Sequence, residues 1–285
     1  MADVGVVPTK ARRQPWPGGI GGLSGTWGGL VRASVQVAVT YRGRIVLWVV
    51  SGFFPLLLMA VWLTVVAQSG PPAGWTANDF LAYYAAAAVI WHTSGQHVVW
   101  EWDQDLRSGD LSTKLLRPVH PFWQYAASDL GHRLVLTSCL VPLLVLAALV
   151  APGLAYAIGP LDVVLVALAV ALGWVLSVVM GSTVALLGFW STQTTNIWML
   201  VWGLGSFASG WVAPLELMPA WLREVAVVLP FRSTLGFPAE LVAGRLSGGE
   251  VAVGFAVGVA WTSVLALLYV VGWRRGVRRY QAVSG

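Results

Sequence analysis

The sequence predicts an all-α integral membrane protein with six transmembrane helices and both termini in the cytoplasm. Three observations carry this expectation. Charged residues make up 10% of the 285 residues, against roughly 25% in a soluble domain, too few to cover a water-facing surface. Six apolar runs, at about 45–67, 80–99, 134–156, 163–189, 194–212 and 251–273, approach or exceed the ~20 residues a helix needs to cross the hydrocarbon core. The basic residues are also segregated. Lys10, Arg12, Arg13, Arg32, Arg42 and Arg44 precede span 1; Arg107, Lys114, Arg117 and Arg133 lie between spans 2 and 3; Arg274, Arg275, Arg278 and Arg279 follow span 6. Only Arg223, Arg232 and Arg245 fall on the other side. Positive charge stays inside, so the termini and the 2–3 connection are expected to be cytoplasmic.

In chain order, residues 1–22, with "PWPGGIGG", predict a disordered arm. This start lacks the short apolar core and small-residue cleavage site of a signal peptide. Residues 23–43 predict an amphipathic helix at the interface, with Arg32 and Arg42 snorkelling while Leu30, Val31, Val35 and Val39 dip into the acyl layer. Pro55 and Pro142 fall inside spans 1 and 3, where neighbouring helices can satisfy the freed carbonyls. Span 2 is expected to continue into a helical extension, "VVWEWDQDLRSG".

Ser108-Gly109 then breaks the chain, and Asp110 is placed to cap a short helix over 111–117. That helix is about two turns or ~10 Å long, with Lys114 and Arg117 near its C-terminal end, where cations suit the dipole. Leu111, Leu115 and Pro118 share one stripe on it, which reads as either a docking plug or a face lying on lipid headgroups. The last external connection, 213–250, contains "PAWLREVAVVLPF" between Pro219 and Pro230. This apolar helix is too short to span and suits a re-entrant or interfacial piece.

Several chemistries are missing. Neither Lys10 nor Lys114 follows the glycines of a phosphate loop. All 12 acids lie outside the spans, which argues against a proton- or sodium-coupled carrier. For ion coupling or metal binding the spans offer only His92 and His97, and an i, i+5 spacing puts them on different helix faces, so no metal site is expected. His120 and His132 read as interfacial residues, and no Ser-His or Ser-Lys constellation supports an intramembrane enzyme. The single cysteine, Cys139, reads as a small buried hydrophobe.

"WEWDQDLRSGDLSTKLLRPVHPFWQYAASDLGHRL" resembles the cytoplasmic segment of ABC-2-type transporter permeases, with its charged cluster, glycine, short leucine-containing helix and Leu-Leu-x-Pro stop. Its form is closest to six-span, drug- or viologen-exporter-like permeases with separate ATPase subunits. "LPFRSTLGFPAELVAGRLS", residues 229–247, resembles that subfamily's external segment before the last span.

The resemblance implies a single transmembrane domain over 23–285 in a bacterial cytoplasmic membrane, with residues 23–43 as its elbow helix. It implies that 110–117 is a coupling helix seated in an ATP-binding subunit, with Gly109, Asp110, Leu111, Lys114, Leu115, Leu116, Arg117 and Pro118 forming it. Glu101, Asp103, Asp105 and Arg107 would link span 2 to that helix, although Trp102 and Gln104 interleave the acids here. Pro219, Trp221, Pro230, Phe231 and Pro238 would belong to external re-entrant helices. ATP and magnesium would be bound by two copies of the partner subunit, leaving this chain without a cofactor or catalytic residue. A second permease, identical or sibling, and membrane lipid would complete the partners; nucleic acid is not expected.

In such permeases spans 2 and 5 face the pathway. The corresponding residues are Tyr83, Tyr84, Trp91 and His92 on span 2, and Asn196, Met199, Trp202, Ser206 and Phe207 on span 5. Small residues four apart, Ala82/Ala86 and Ser206/Gly210, equally suit close helix packing. Of the 17 tryptophans, those near span ends (Trp48, Trp75, Trp100, Trp102, Trp190, Trp211, Trp221, Trp273) read as interface belts. Trp62, Trp91, Trp174, Trp198, Trp202 and Trp261 lie deeper. The expected function is export of a lipophilic or amphipathic substrate. A carrier or channel driven by a gradient alone, and a membrane subunit that transports nothing, are the competing readings.

Overall fold

A computed structural model describes residues 23–40, 54–70, 72–150 and 159–284. The expected arm over 1–22 and the first part of span 1 lie outside them. Helices dominate, and no strand occurs among the described residues. They are α1 (Leu23–Thr40), α2 (Phe54–Ser69), α3 (Ala77–Ser94), α4 (Val98–Ser108), α5 (Asp110–Leu116), α6 (Pro121–Val150), α7 (Pro160–Ala185), α8 (Thr194–Ala208), α9 (Ala220–Val228), α10 (Pro230–Thr234), α11 (Gly236–Val242) and α12 (Gly248–Ser284).

Two helical stretches are long and apolar enough to cross a membrane unaided, Pro160–Phe189 and Gly248–Tyr280. The first begins with Pro160 at a position where no amide bond is lost, and Asp162 accepts a hydrogen bond from the Gly159 N–H at 2.9 Å. A third apolar helix, α2, has 16 described residues. The outward faces are apolar: Leu57 and Val61 on α2, Leu161 and Leu168 on α7, Leu200 and Leu204 on α8, and Leu267 on α12 are all exposed. Meanwhile His92, Gln96, Asp129, Arg133 and Glu240 are buried. An apolar exterior around a partly polar interior fits hydrocarbon surroundings, and the chain is a membrane protein.

α7 is the central post. It packs along α12 and also touches α3, α4, α8, α10 and α11. α2 lies against α3, where Trp62 stacks on Phe80 with ring centroids 5.2 Å apart. α1 packs across α6. The crossing is close because Gly131 has no side chain: a Cβ there would sit 2.5 Å from the Ser34 Cβ. Gly131→Leu should therefore push α1 away and destabilise the protein by about 1–3 kcal/mol, read as a lower unfolding midpoint in detergent. An unchanged midpoint would mean that α1 is not held at this crossing.

At the end opposite α5, five polar ties close the bundle. Tyr83 donates to the Gly210 carbonyl at 2.7 Å and Tyr84 to the Val212 carbonyl at 3.0 Å. Glu216 accepts from Trp75 Nε1 and pairs with Arg245 at 2.8 Å, and Arg232 pairs with the buried Glu240. The apolar helix expected between Pro219 and Pro230 is α9, and the stretch beyond it divides into α10 and α11.

Three expectations need correction. Span 2 does not run unbroken into its extension: α3 stops at Ser94, Gly95 is extended, and α4 begins at Val98. Trp75 and Trp102 are not interface residues but among the largest fully buried side chains. Trp75 packs against Phe80 and Tyr83, and Trp102 against Tyr125, Phe189 and Trp273, so packing outweighs the interfacial preference of indole. Cys139 is exposed on α6 rather than buried.

Candidate functional site

The charged segment folds into a compact device at one end of the bundle. α4 carries its acids on successive turns, so Glu101 and Asp105 share a face. Gly109 takes φ 84°, a left-handed conformation that glycine adopts at little cost, and reverses the chain into α5. The reversal brings Lys114 back onto that face: its Nζ lies 2.7 Å from Glu101 Oε1 and 2.7 Å from Asp105 Oδ2. The ammonium also sits 3.9 Å from the centre of the Tyr125 ring, and Tyr125 donates its hydroxyl to Asp105 at 2.6 Å. Burial and that carboxylate raise the Tyr125 pKa well above the usual phenol value, so the hydroxyl stays a donor.

The far end of α5 is held as well. Gln124 donates to the Lys114 and Val119 carbonyls at 2.9 and 2.8 Å, and accepts from Arg117. Arg107 pairs with Asp103 at 2.8 Å and donates to the Thr192 carbonyl at 3.0 Å, tying α4 to the turn between α7 and α8.

The orientation of α5 differs from expectation. Leu111 is fully buried, packed with Val98, Val99, Trp102 and Tyr125, and Leu115 packs against the same cluster. The Leu111/Leu115 stripe therefore anchors the helix instead of presenting a plug. The outward face carries Asp110, Ser112, Thr113, Arg117 and Pro118 around Leu116, which is 87% exposed. Nor does Asp110 cap the helix. Gly109 is the capping residue, Asp110 is the first helical residue, and its carboxylate accepts from the Ser108 hydroxyl at 2.7 Å.

A second feature lies where α3 breaks. A cavity of about 270 Å³ is walled by the 94–97 break, α7, α8 and α10. Behind it, Arg133 of α6 reaches across: it donates to the His92 carbonyl at 2.8 Å, contacts His97 Nδ1 at 3.0 Å and faces Asp129 at 3.6 Å. Its guanidinium occupies the space over Gly95, where a Cβ would lie 2.9 Å away. Asp129 accepts from the His97 amide at 2.7 Å and from Trp174 at 2.9 Å. Burial alone would raise its pKa, but Arg133, His97 and Trp174 together bring it down to about 2. The break is thus stitched to α6 by a buried charge pair. His92 Nε2, Ser94 Oγ and Gln96 Nε2 are buried polar atoms without a protein partner among the cavity-lining residues. Unpaired groups of this kind favour a polar guest.

A family profile described as ABC-2 family transporter protein matches residues 53–284, well over half of the chain. The chain belongs to the ABC-2 family of transporter proteins. Comparison with curated proteins finds no match. ABC-2 permeases are in general non-catalytic membrane subunits that work with an ATP-binding partner.

Within this ABC-2 permease, five of the residues expected along a pathway meet at the cavity: Trp91 and His92 from α3, and Met199, Trp202 and Ser206 from α8. Four do not. Tyr83 and Tyr84 are buried and tied to the 210–212 backbone. Asn196 is exposed and bonded to Gln193, and Phe207 points outward from α8. Gln96 and Asp129 also belong to this region, as do Arg133, expected only as a cytoplasmic positive charge, and Trp198, expected only as one of the deeper tryptophans. The run of polar residues in "TSGQH" was the available signal, since a span with no interruption would not carry it. Of the residues assigned to the external helices, Pro219 and Trp221 are exposed, whereas Pro230 and Pro238 are buried. Phe231 lines the cavity and fills the space left by Gly205. Among the described residues, no group of His, Cys, Asp and Glu is arranged to hold a metal.

Proposed function

We propose that this chain is the transmembrane permease subunit of an ATP-driven exporter, a six-span domain with both termini in the cytoplasm of a bacterial cell. Two copies of a separate ATP-binding subunit would supply the energy, with a second permease, identical or sibling, completing the pathway. The single observation that carries this reading is α5. A two-turn helix is clamped to α4 by Lys114, anchored by Leu111, and turned so that Leu116 projects from the protein.

A large apolar side chain on a charge-ringed, rigid helix fits insertion into a pocket on a soluble partner. Partner closure would then pull on α5. The Lys114 clamp passes the force to α4, the Asp129–Arg133 stitch passes it to the 94–97 break, and the cavity beside that break changes shape. The lining suits an amphipathic substrate: the indoles of Trp91, Trp198 and Trp202 offer apolar faces, and His92 and Gln96 offer polar atoms.

The test is co-purification of the ATP-binding subunit with Leu116→Asp. The residue is exposed, so the fold should be unaffected, while retention of the subunit should fall on the order of tenfold or more, as for a hot-spot residue. Equal retention by the variant and the wild type would show that α5 docks nothing through this face.

A further inference from the structure

A groove of about 1010 Å³, separate from the cavity above, runs between α7 and α12 and is bordered by α1 and the start of α6. Its walls are apolar and aromatic, with Trp27, Trp123, Trp174, Tyr269 and Trp273 among them, and no carboxylate lines it. Arg274 and Arg278 stand at one end, both exposed and one turn apart on the same face of α12. Neither forms an ion pair among the described residues. His120, also at that end, adds no charge near neutral pH, because burial brings its pKa down to about 4.

The dimensions match one lipid leaflet. From Thr262 to Arg278 along α12 is about 24 Å at 1.5 Å per residue. Half of a bilayer, with its headgroup region, is about 20–22 Å. An apolar slot of that length ending in two cations, with no ion pair to either among the described residues, complements an apolar chain carrying one negative end.

We propose that the groove binds an anionic diacyl phospholipid of the cytoplasmic leaflet, with acyl chain against the aromatic wall and phosphate between Arg274 and Arg278. The inference rests on the membrane placement proposed above but not on the ATP-binding partner. It has a consequence for coupling. Tyr269 and Trp273 form part of the groove wall, and Trp273 lies 5.7 Å from Trp102, which packs with Leu111 of α5. The lipid would therefore buttress the mounting of α5.

The experiment is native mass spectrometry of the purified full-length chain with phosphatidylglycerol or phosphatidylcholine carrying identical acyl chains. Wild type should retain the phosphatidylglycerol selectively. Arg274→Ala with Arg278→Ala should weaken that binding on the order of thirtyfold, each arginine contributing its share of headgroup attraction. Ala266→Trp, which fills the slot, should reduce it too. Equal retention of the two lipids, or no change in the double variant, would overturn the proposal. A photo-crosslinker at Val270 should capture lipid; capture of a second copy or of residues 1–22 instead would also overturn it. No ATP-binding subunit is present in these measurements, so their failure is distinguishable from failure of α5 docking.

Discussion

Arg133→Met is expected to destabilise the protein by about 3–5 kcal/mol, the range for breaking a buried ion pair from one side. Arg133 is 6% exposed and Asp129 3% exposed. The methionine would leave the Asp129 carboxylate buried, still accepting from His97 and Trp174 but without its counter-charge. It would also free the His92 carbonyl and empty the space over Gly95. Because most of the loss comes from the stranded charge, Asp129→Asn in the same chain should recover more than half of it. Chemical or thermal unfolding of the two single variants and the double variant in detergent measures this directly. A wild-type midpoint for Arg133→Met would show that the stitch does not hold the α3–α4 break together.

Lys114→Met should have the largest functional effect. Two carboxylates converge on one ammonium, and removing it leaves Glu101 and Asp105 facing each other beside Tyr125. Glu101 is about one-third exposed (35%), so solvent relieves part of the repulsion, and the stability loss should be smaller, about 2–3 kcal/mol. The consequence for coupling should be larger. α5 would remain anchored through Leu111 but lose its rigid link to α4, so substrate-stimulated ATP hydrolysis in the reconstituted complex should fall tenfold or more. Lys114→Met with Glu101→Gln and Asp105→Asn should restore stability without restoring stimulation, because the neutral trio has no strong bond to carry force. Full stimulation in Lys114→Met would remove the clamp from the coupling route.

The two variants and Leu116→Asp probe different links of one chain. Leu116 concerns contact with the partner, Lys114 the mounting of α5, and Arg133 the seat of the broken helix. A defect in binding, in stimulation or in stability, respectively, distinguishes them.

The class of the protein was legible in one dimension. Helices, apolar exterior and family follow from run length, from the scarcity of charge and from the "DLRSGDLSTKLLRP" segment, all local properties of the chain. The break at Ser108-Gly109 was legible for the same reason, since the end of a helix at a glycine is a property of one residue and its neighbours. Tertiary structure decided which way α5 faces. Leu111, Leu115 and Leu116 are alike in the sequence, but only packing against Trp102 and Tyr125 buries the first and leaves the third outside. It also decided where span 2 breaks and what holds the break. "TSGQH" is held by Asp129 and Arg133, more than 30 residues away, and Asp129 in turn by Trp174, further still. Tyr83, Tyr84, Asn196 and Phe207 share helices with the cavity residues, but the first two are tied to the 210–212 backbone, Asn196 is bonded to Gln193 and Phe207 is exposed. Helical periodicity relates residues within one helix, whereas burial depends on how several helices are rotated against each other, and that rotation is set by contacts between distant parts of the chain.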